Sequence, residues 1–523
     1  MINFIIGFGV IFGIILFLER LVLPRPTRKP LAHRAEFLAI APVLFFYLTL
    51  FMITYRPFLS AMFTLVVYSG IIVANNAKYR VLKEPLVFSD FSLLKQAFKH
   101  PALYVRYIGP IKIAAVFFVG FVAIVGGPLV EPPVVLRRGV DSYLPLIIYL
   151  SFVVGVIYLI TRGRLRRQFQ RILYRFGAST DVNEDIDKLS LVVCLIFYFF
   201  LSGADSTVSR KYRRRAGDRK LFPGPDPRNR RHLVAVQNES FFDARRMLKH
   251  TPDGFLANFD RACREARYYG RMEVPAWGAN TLRTEFAFLS GIPNQDLGIN
   301  RFNPYQNLDH REIWTLASFL KEEGYRTVCI HPYHASFFGR DKVFPNLGFD
   351  QFIDIKAFSP DQCVGPYISD AAVADKIDEV LSGSDQPVFI FAITMENHGM
   401  WDSERVKPCK EIEAAMPVKS AELAQYLGHL RNADLMIAKI MKTLSDVLES
   451  TGRNAAFCFF GDHLPSLPAV FEAAQFDDFR TDYFVWDSFA SDSADVQHRE
   501  TDLTPDRLSN LVVEVLTSEL PDS

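Results

Sequence analysis

The sequence predicts two halves of different architecture: a polytopic α-helical membrane domain, then an α/β domain with a mostly parallel sheet. Two observations carry this. Half of the 523 residues are hydrophobic and 14% aromatic, giving a mean hydropathy of +0.11, and the apolar residues crowd into the first 200 or so positions. Beyond residue 230 the pattern changes to short β-rich runs separated by helical stretches, the alternation that places helices on both faces of a parallel sheet. With 59 Lys+Arg against 57 Asp+Glu and a net charge of +2, bulk charge does not point to a nucleic-acid partner.

A bilayer core of about 30 Å needs about 20 apolar residues per helix. Five segments approach or meet that: Asn3–Leu18, Phe37–Tyr55, Pro57–Ala74, Ile113–Val130 and Tyr143–Ile160. A sixth, Leu189–Leu201, is short. The first lacks the basic start and small-residue cleavage site of a signal peptide. Lys and Arg concentrate after the first span (Arg20, Arg25, Arg28), after the third (Lys78, Arg80, Lys83) and after the fifth (Arg162, Arg164, Arg166). Basic loops stay in the cytoplasm, so the chain is expected to start outside, and six spans put everything after residue 203 outside as well. Residues 1–203 thus form the membrane domain, 204–230 a basic linker and 231–523 the second domain. The run Arg210–Lys220 favours the cytoplasm if the sixth segment does not cross; after export it either lies on anionic headgroups, at about 1 kcal/mol per residue, or is a solvated linker.

In the second half, Leu233–Val236, Thr327–Ile330, Val388–Ile393, Ala456–Phe460 and Tyr483–Trp486 read as buried strands. Ser420–Val447 and Pro505–Thr517 read as helices, the latter with Thr504 as N-cap. Six cysteines in so long a chain make no disulfide scaffold. Cys194 reads as a packed residue, and a Cys363–Cys409 bridge is an option for an exported domain.

Ligands of such sheets bind outside the carboxyl ends of the strands. There the sequence places Glu239-Ser240, His331, Glu396-Asn397-His398 and Gly461-Asp462-His463. One carboxylate with an Asp-His pair is a mixed O/N set suited to Mn²⁺, Mg²⁺ or Zn²⁺. Taken singly, each also reads as a turn, a cap or a surface acid. Gly278 and Asn280 mark a turn, and Thr281–Ser290 a helix closed by Gly291. A hydroxyl at that helix start would sit among free backbone N–H groups able to hold a phosphoryl oxygen and could act as a metal-activated nucleophile; as a plain N-cap it would do neither.

Membrane spans, Glu239-Ser240, Thr281-Leu-Arg-Thr-Glu-Phe, His331 with Phe338-Gly339-Arg340, His398 and Gly461-Asp462-His463, in that order, resemble the lipoteichoic acid synthase and phosphoglycerol transferase group of the sulfatase-like alkaline phosphatase superfamily. The resemblance covers about residues 230–520 and, more weakly, the spans. It implies a sulfatase-like domain with Thr281 as nucleophile, forming a phosphoglycerol-threonine intermediate, and Glu239, Thr281, Asp462 and His463 as ligands of one divalent metal ion, Mn²⁺ first and Mg²⁺ or Zn²⁺ also accommodated. His331, Phe338, Arg340 and His398 match residues that hold glycerol phosphate. It further implies a phosphatidylglycerol donor, a glycan or glycerol phosphate acceptor, membrane lipids as surroundings, no nucleic acid, and a multi-pass protein of the bacterial cytoplasmic membrane with an extracytoplasmic catalytic domain. Around the nucleophile, Thr281-Leu282-Arg283 stands where the group carries a more polar run, which leaves the acceptor open. A phosphoethanolamine transferase, a phosphodiesterase of the same superfamily, or a non-catalytic polymer-binding membrane protein are the competing readings.

Overall fold

The computed structural model describes residues 2–24, 32–91, 110–134, 144–162, most of 168–201, isolated positions to 229, and 230–518 apart from 307, 309, 402–403, 408 and 489–497. Two compact units result, Met1–Asp205 and Ser206–Ser523. The basic run 210–220 and most of the Pro-Gly linker lie outside the described residues.

In the first unit each expected span is helical: α1 (Ile2–Glu19), α2 (Ala32–Thr54), α3 (Pro57–Leu82), α4 (Pro110–Val130) and α5 (Leu144–Arg162). Among the described residues α3 is long and apolar enough to cross a bilayer, and the apolar parts of the others are shorter. Glu131, just past α4, caps α3 by accepting from the amides of Phe58 and Leu59 at 3.0 and 2.7 Å; Pro57 at the first helical position lacks an amide to be capped. The sixth apolar run is split. A short amphipathic helix, α6 (Val182–Leu189), is capped by Asp181, and after Ser190 comes α7 (Leu191–Leu201). The described part of α7, 11 residues at 1.5 Å per residue, is roughly 16 Å long.

The second unit is built on an eight-stranded sheet in the order β10-β2-β9-β8-β1-β7-β3-β4. Its strands are β1 (His232–Asn238), β2 (Tyr268–Met272), β3 (Arg326–Ile330), β4 (Gln351–Ile353), β7 (Val388–Ile393), β8 (Ala455–Gly461), β9 (Thr481–Asp487) and β10 (Arg499–Glu500); β5 (Cys363–Val364) and β6 (Tyr367–Ile368) form a separate hairpin. The centre, β8-β1-β7-β3-β4, is parallel, whereas β9 runs antiparallel to both β8 and β2. All five expected strands are present, and β1, β7 and β8 are buried along their whole length, which is why they read as continuous apolar runs.

Two apolar cores cover the two faces of the sheet. One contains residues of α10 (Asp370–Ser382) and α11 (Ala421–Thr451), the other residues of α8 (Thr281–Ser290) and α12 (Pro505–Thr517). Helix α11 begins where expected, with the Ser420 hydroxyl accepting from the Leu423 amide at 3.1 Å. Thr504 occupies the N-cap of α12 without a side-chain cap bond; Pro505 at N1 removes one of the orphan donors. The Cys363–Cys409 bridge does not form. All six cysteines are free, and the Cys409 thiol donates to Glu411 at 2.8 Å instead.

Candidate active site

The site is assembled at the carboxyl edge of the parallel strands. β1 ends in Glu239, followed by Ser240 in the left-handed region at φ 56°, and its neighbour β8 ends in Gly461-Asp462-His463. A Cβ on Gly461 would lie 1.8 Å from the Phe241 carbonyl oxygen, so only glycine lets the two strand ends approach this closely. The Ser240 amide donates to Asp462 Oδ1 at 2.8 Å, and so does the amide of His463. The Ser240 hydroxyl donates to Glu239 Oε1 at 2.8 Å. The glutamate is fixed from behind as well: its amide donates to Thr394 Oγ1 at 3.0 Å.

The result is a compact buried trio. Glu239, Asp462 and His463 each offer a ligand atom within 4.8 Å of the others. His463 Nδ1 faces the Leu464 carbonyl at 2.9 Å and therefore carries the proton, leaving Nε2 with its lone pair 3.3 Å from Asp462 Oδ2 and 3.6 Å from Glu239 Oε1. Asp462 Oδ2 is buried with no hydrogen-bond partner, which a native fold rarely tolerates without a ligand. Burial, and then the Asp462 charge, push the Glu239 carboxyl above the usual carboxylate range. Two acids and an imidazole lone pair converging on one point fit a divalent cation with O/N donors.

Helix α8 places Thr281 beside this trio. Gly278 and Asn280, both with positive φ, turn the chain into the helix, confirming the expected turn. Gln237 Nε2, at the end of β1, donates to the Thr281 carbonyl at 3.4 Å, and one turn on the Thr284 hydroxyl donates to the Asp462 carbonyl at 2.7 Å. The helix start is thus tied to both strands that carry ligands. Asn280, not Thr281, is the N-cap residue, and it makes no side-chain cap bond. Among the described residues the Thr281 hydroxyl makes no hydrogen bond.

A second buried set lies next to it. Arg340 Nε and Nη2 donate to Glu285 Oε1 and Oε2 at 3.1 and 2.8 Å, and Nη1 to His331 Nε2 at 3.2 Å. His331 Nδ1 is committed to the Ile393 carbonyl at 3.2 Å, and burial together with Arg340 keeps its imidazole neutral. Tyr305 donates to Glu285. Phe338, at φ 55°, lays its ring 5.2 Å from the guanidinium carbon, a cation–π distance. His398 Nδ1 faces the Gly399 carbonyl at 2.7 Å and the Tyr367 hydroxyl at 3.2 Å; burial lowers its pKa. The two sets lie within each other's field, since Arg340 acts on Glu239 and Asp462 on His398.

All residues singled out from sequence therefore gather in one region, but not in identical roles. Glu396, which the sequence also offered as a strand-end acid, is fully engaged: its Oε1 accepts from His429 and Asn432 at 2.9 and 2.6 Å, and its Oε2 from the Asp370 amide at 2.7 Å. Missed were Glu285, His429 and Asp370. Glu285 had a readable signal, a carboxylate next to the apolar run Phe286-Ala287-Phe288-Leu289 in a helix that is buried from Leu282 to Ser290, where a charge must find a partner. Asp370 and His429 had none, because their partners are distant in sequence.

A buried carboxylate–carboxylate–imidazole trio at a sheet edge, with a hydroxyl at an adjoining helix start, is a donor set suited to a divalent ion beside a candidate nucleophile. The comparison with known proteins agrees: the family model described as Sulfatase matches residues 232–516, and the chain belongs to that family, as the motifs led one to expect. The chain is 29% identical over 501 residues to the capsular polysaccharide biosynthesis protein RkpI of Rhizobium meliloti strain 1021, covering 90% of this chain and 87% of that one. It is 30% identical over 257 residues, 48% of this chain and 38% of the other, to a protein of the same organism named for modification of cyclic beta-1,2-glucan. Among solved structures, the integral membrane lipooligosaccharide phosphoethanolamine transferase A of Neisseria meningitidis matches with a TM-score of 0.56 at 16% identity over 97% of this chain and 95% of that one. The match extends over both units, so the helical first unit shares in that fold as well.

Proposed function

We propose that the chain transfers phosphoglycerol from phosphatidylglycerol to a cell-surface or periplasmic glycan, through a phosphoglycerol-threonine intermediate on Thr281. The observation that carries the reading is the placement of Thr281, whose helix is hydrogen-bonded to the ends of both strands that supply Glu239, Asp462 and His463. These three, with the Thr281 oxygen, would hold one divalent ion, Mn²⁺ first and Mg²⁺ or Zn²⁺ also suited to the donor set. When bound, the ion supplies Lewis-acid stabilisation of the threonine alkoxide and of charge on the phosphoryl oxygens.

The chain's own residues supply the rest. Thr281 Oγ attacks the head-group phosphorus and diacylglycerol leaves; an acceptor hydroxyl then displaces Thr281. Arg340 has two N–H donors left for a phosphoryl oxygen, and His398, with Nδ1–H committed to a carbonyl, has its Nε2 lone pair for a proton of the entering or leaving hydroxyl. A membrane domain on the same chain keeps the site near its lipid donor, an effective-concentration gain that needs no new contact. Lipid head groups with surface glycans as partners require an extracytoplasmic catalytic half in the bacterial cytoplasmic membrane. The names of the two Rhizobium relatives support a glycan acceptor.

A second reading keeps the chemistry and changes the head group, because the whole-chain structural match is to a phosphoethanolamine transferase. Incubating the purified full chain with Mn²⁺ and either phosphatidylglycerol or phosphatidylethanolamine, without acceptor, decides between them. The account expects a phosphoglycerol adduct on the Thr281 peptide by mass spectrometry; a phosphoethanolamine adduct alone selects the second reading. Reporter fusions at the C-terminus test the orientation: the account expects the catalytic half outside, and a cytoplasmic C-terminus would contradict the lipid-donor mechanism.

A further inference from the structure

Arg340 is the guanidinium at the heart of the site, and its charge is already balanced. Three of its five N–H donors are spoken for, two by Glu285 and one by His331. The titratable groups acting on it are Glu285, Tyr305, His331 and Cys329, with Glu239 at longer range. His331 is neutral, and Tyr305 stays protonated because burial and the Glu285 charge raise it well above the ordinary phenol range. Glu285 and Arg340 are both almost completely buried, at 0% and 1% exposure, so water does little to screen one from the other or from a bound ligand.

We propose that Glu285 is a specificity-determining positioning residue: by neutralising Arg340 it suits the phosphate pocket to singly charged phosphodiesters and turns away doubly charged phosphate monoesters. This rests on the phosphodiester reading given above. The pair keeps two N–H donors to orient a phosphoryl oxygen, yet offers no net positive charge to a second negative one. A second ligand charge meets the Glu285 carboxylate across one guanidinium, in surroundings of low dielectric.

The chemistry of double displacement fits such a pocket. The lipid donor is a phosphodiester; the phosphoglycerol-threonine formed when Thr281 Oγ bonds to phosphorus and the diacylglycerol oxygen leaves is another; the glycan product is a third. Each carries one negative charge. Inorganic phosphate and phosphate monoesters, doubly charged above their second ionisation near pH 6, never lie on this path and would otherwise compete for the site. Glu285 stands at the fourth residue after Thr281, on the same helical face, so one helix carries both the nucleophile and the group that sets the charge of the phosphate site.

The test compares bis(p-nitrophenyl) phosphate with p-nitrophenyl phosphate at about pH 8, using the full chain with Mn²⁺. Wild type should favour the diester, and Glu285→Gln should raise the monoester-to-diester ratio of kcat/KM by about tenfold, whereas Glu285→Asp, which keeps the charge, should change the ratio by less than about threefold even if both rates fall. An unchanged ratio in Glu285→Gln, with Thr281-dependent diester cleavage intact, overturns this inference alone. Absence of Thr281-dependent cleavage of any diester by wild type overturns the functional reading beneath it. Should Glu285→Gln fail to fold, wild type decides: glycerol phosphate should inhibit diester cleavage about tenfold more weakly at about pH 7.5 than at about pH 5.5, as its second ionisation is passed, and inhibition that holds or strengthens overturns the proposal.

Discussion

The two buried polar sets of the active site hold opposite states of completion. Around Arg340 every charge has its counter-charge, with Glu285 gripping the guanidinium side-on and Tyr305 and His331 filling further positions. Around Asp462 no arginine or lysine among the described residues pairs with the acids: amides and one hydroxyl donate to them, but Glu239 and Asp462 face each other and a histidine lone pair, and Asp462 Oδ2 has no hydrogen-bond partner. Burying an ion pair with good geometry is tolerable, whereas burying like charges together is not. The first set is therefore finished by the chain itself and serves to orient. The second offers donors that, on the proposed reading, a cation would complete beside Thr281.

This contrast can be broken by mutation. Arg340→Ala strands Glu285 in the interior and should cost about 3–5 kcal/mol of stability in urea unfolding; Glu239→Ala, measured in chelator, should cost nothing or add stability, because it relieves repulsion from Asp462. Equal losses would erase the distinction. Next in size is the metal: at a hundredfold excess over Kd, Mn²⁺ should stabilise the wild type by about 2.7 kcal/mol and Asp462→Asn far less, read as the shift in Tm.

A pH series sharpens the same point. Because burial and Asp462 raise the Glu239 carboxyl in the folded, metal-free protein, its contribution to stability is complete below the ordinary glutamate pKa of about 4.3 and is lost as pH rises through the raised value. The Tm of the chelated protein should fall as pH climbs above the ordinary carboxylate range, and the fall should flatten with Mn²⁺ bound; parallel curves would count against a cation site at Glu239. The smallest effect is expected at Tyr305→Phe, which removes one hydrogen bond to a carboxylate that keeps its arginine, for about 1–2 kcal/mol.

How much of this the sequence disclosed follows from which interactions are local. Val388–Ile393 was legible because a strand buried on both faces must be apolar throughout, and Gly461-Asp462-His463 because a strand end, a tight approach and two donors follow one another in the chain. Thr281 was legible from the turn before it. The short edge strands β4 and β10 have no such pattern; tertiary pairing alone makes them strands. Asp370 and His429 meet Glu396 across distances in sequence that no spacing rule reaches. The sixth apolar segment already read as short in the sequence, but its start after Ser190, at φ 74°, was not legible, because apolar composition alone does not mark a helix boundary.

The account stands or falls on Thr281 as the nucleophile next to a cation site. Release of labelled diacylglycerol from phosphatidylglycerol by the purified full chain with Mn²⁺, compared with Thr281→Ala, measures this directly. The account predicts release by wild type that falls at least about a thousandfold in the variant; equal release from both would contradict it.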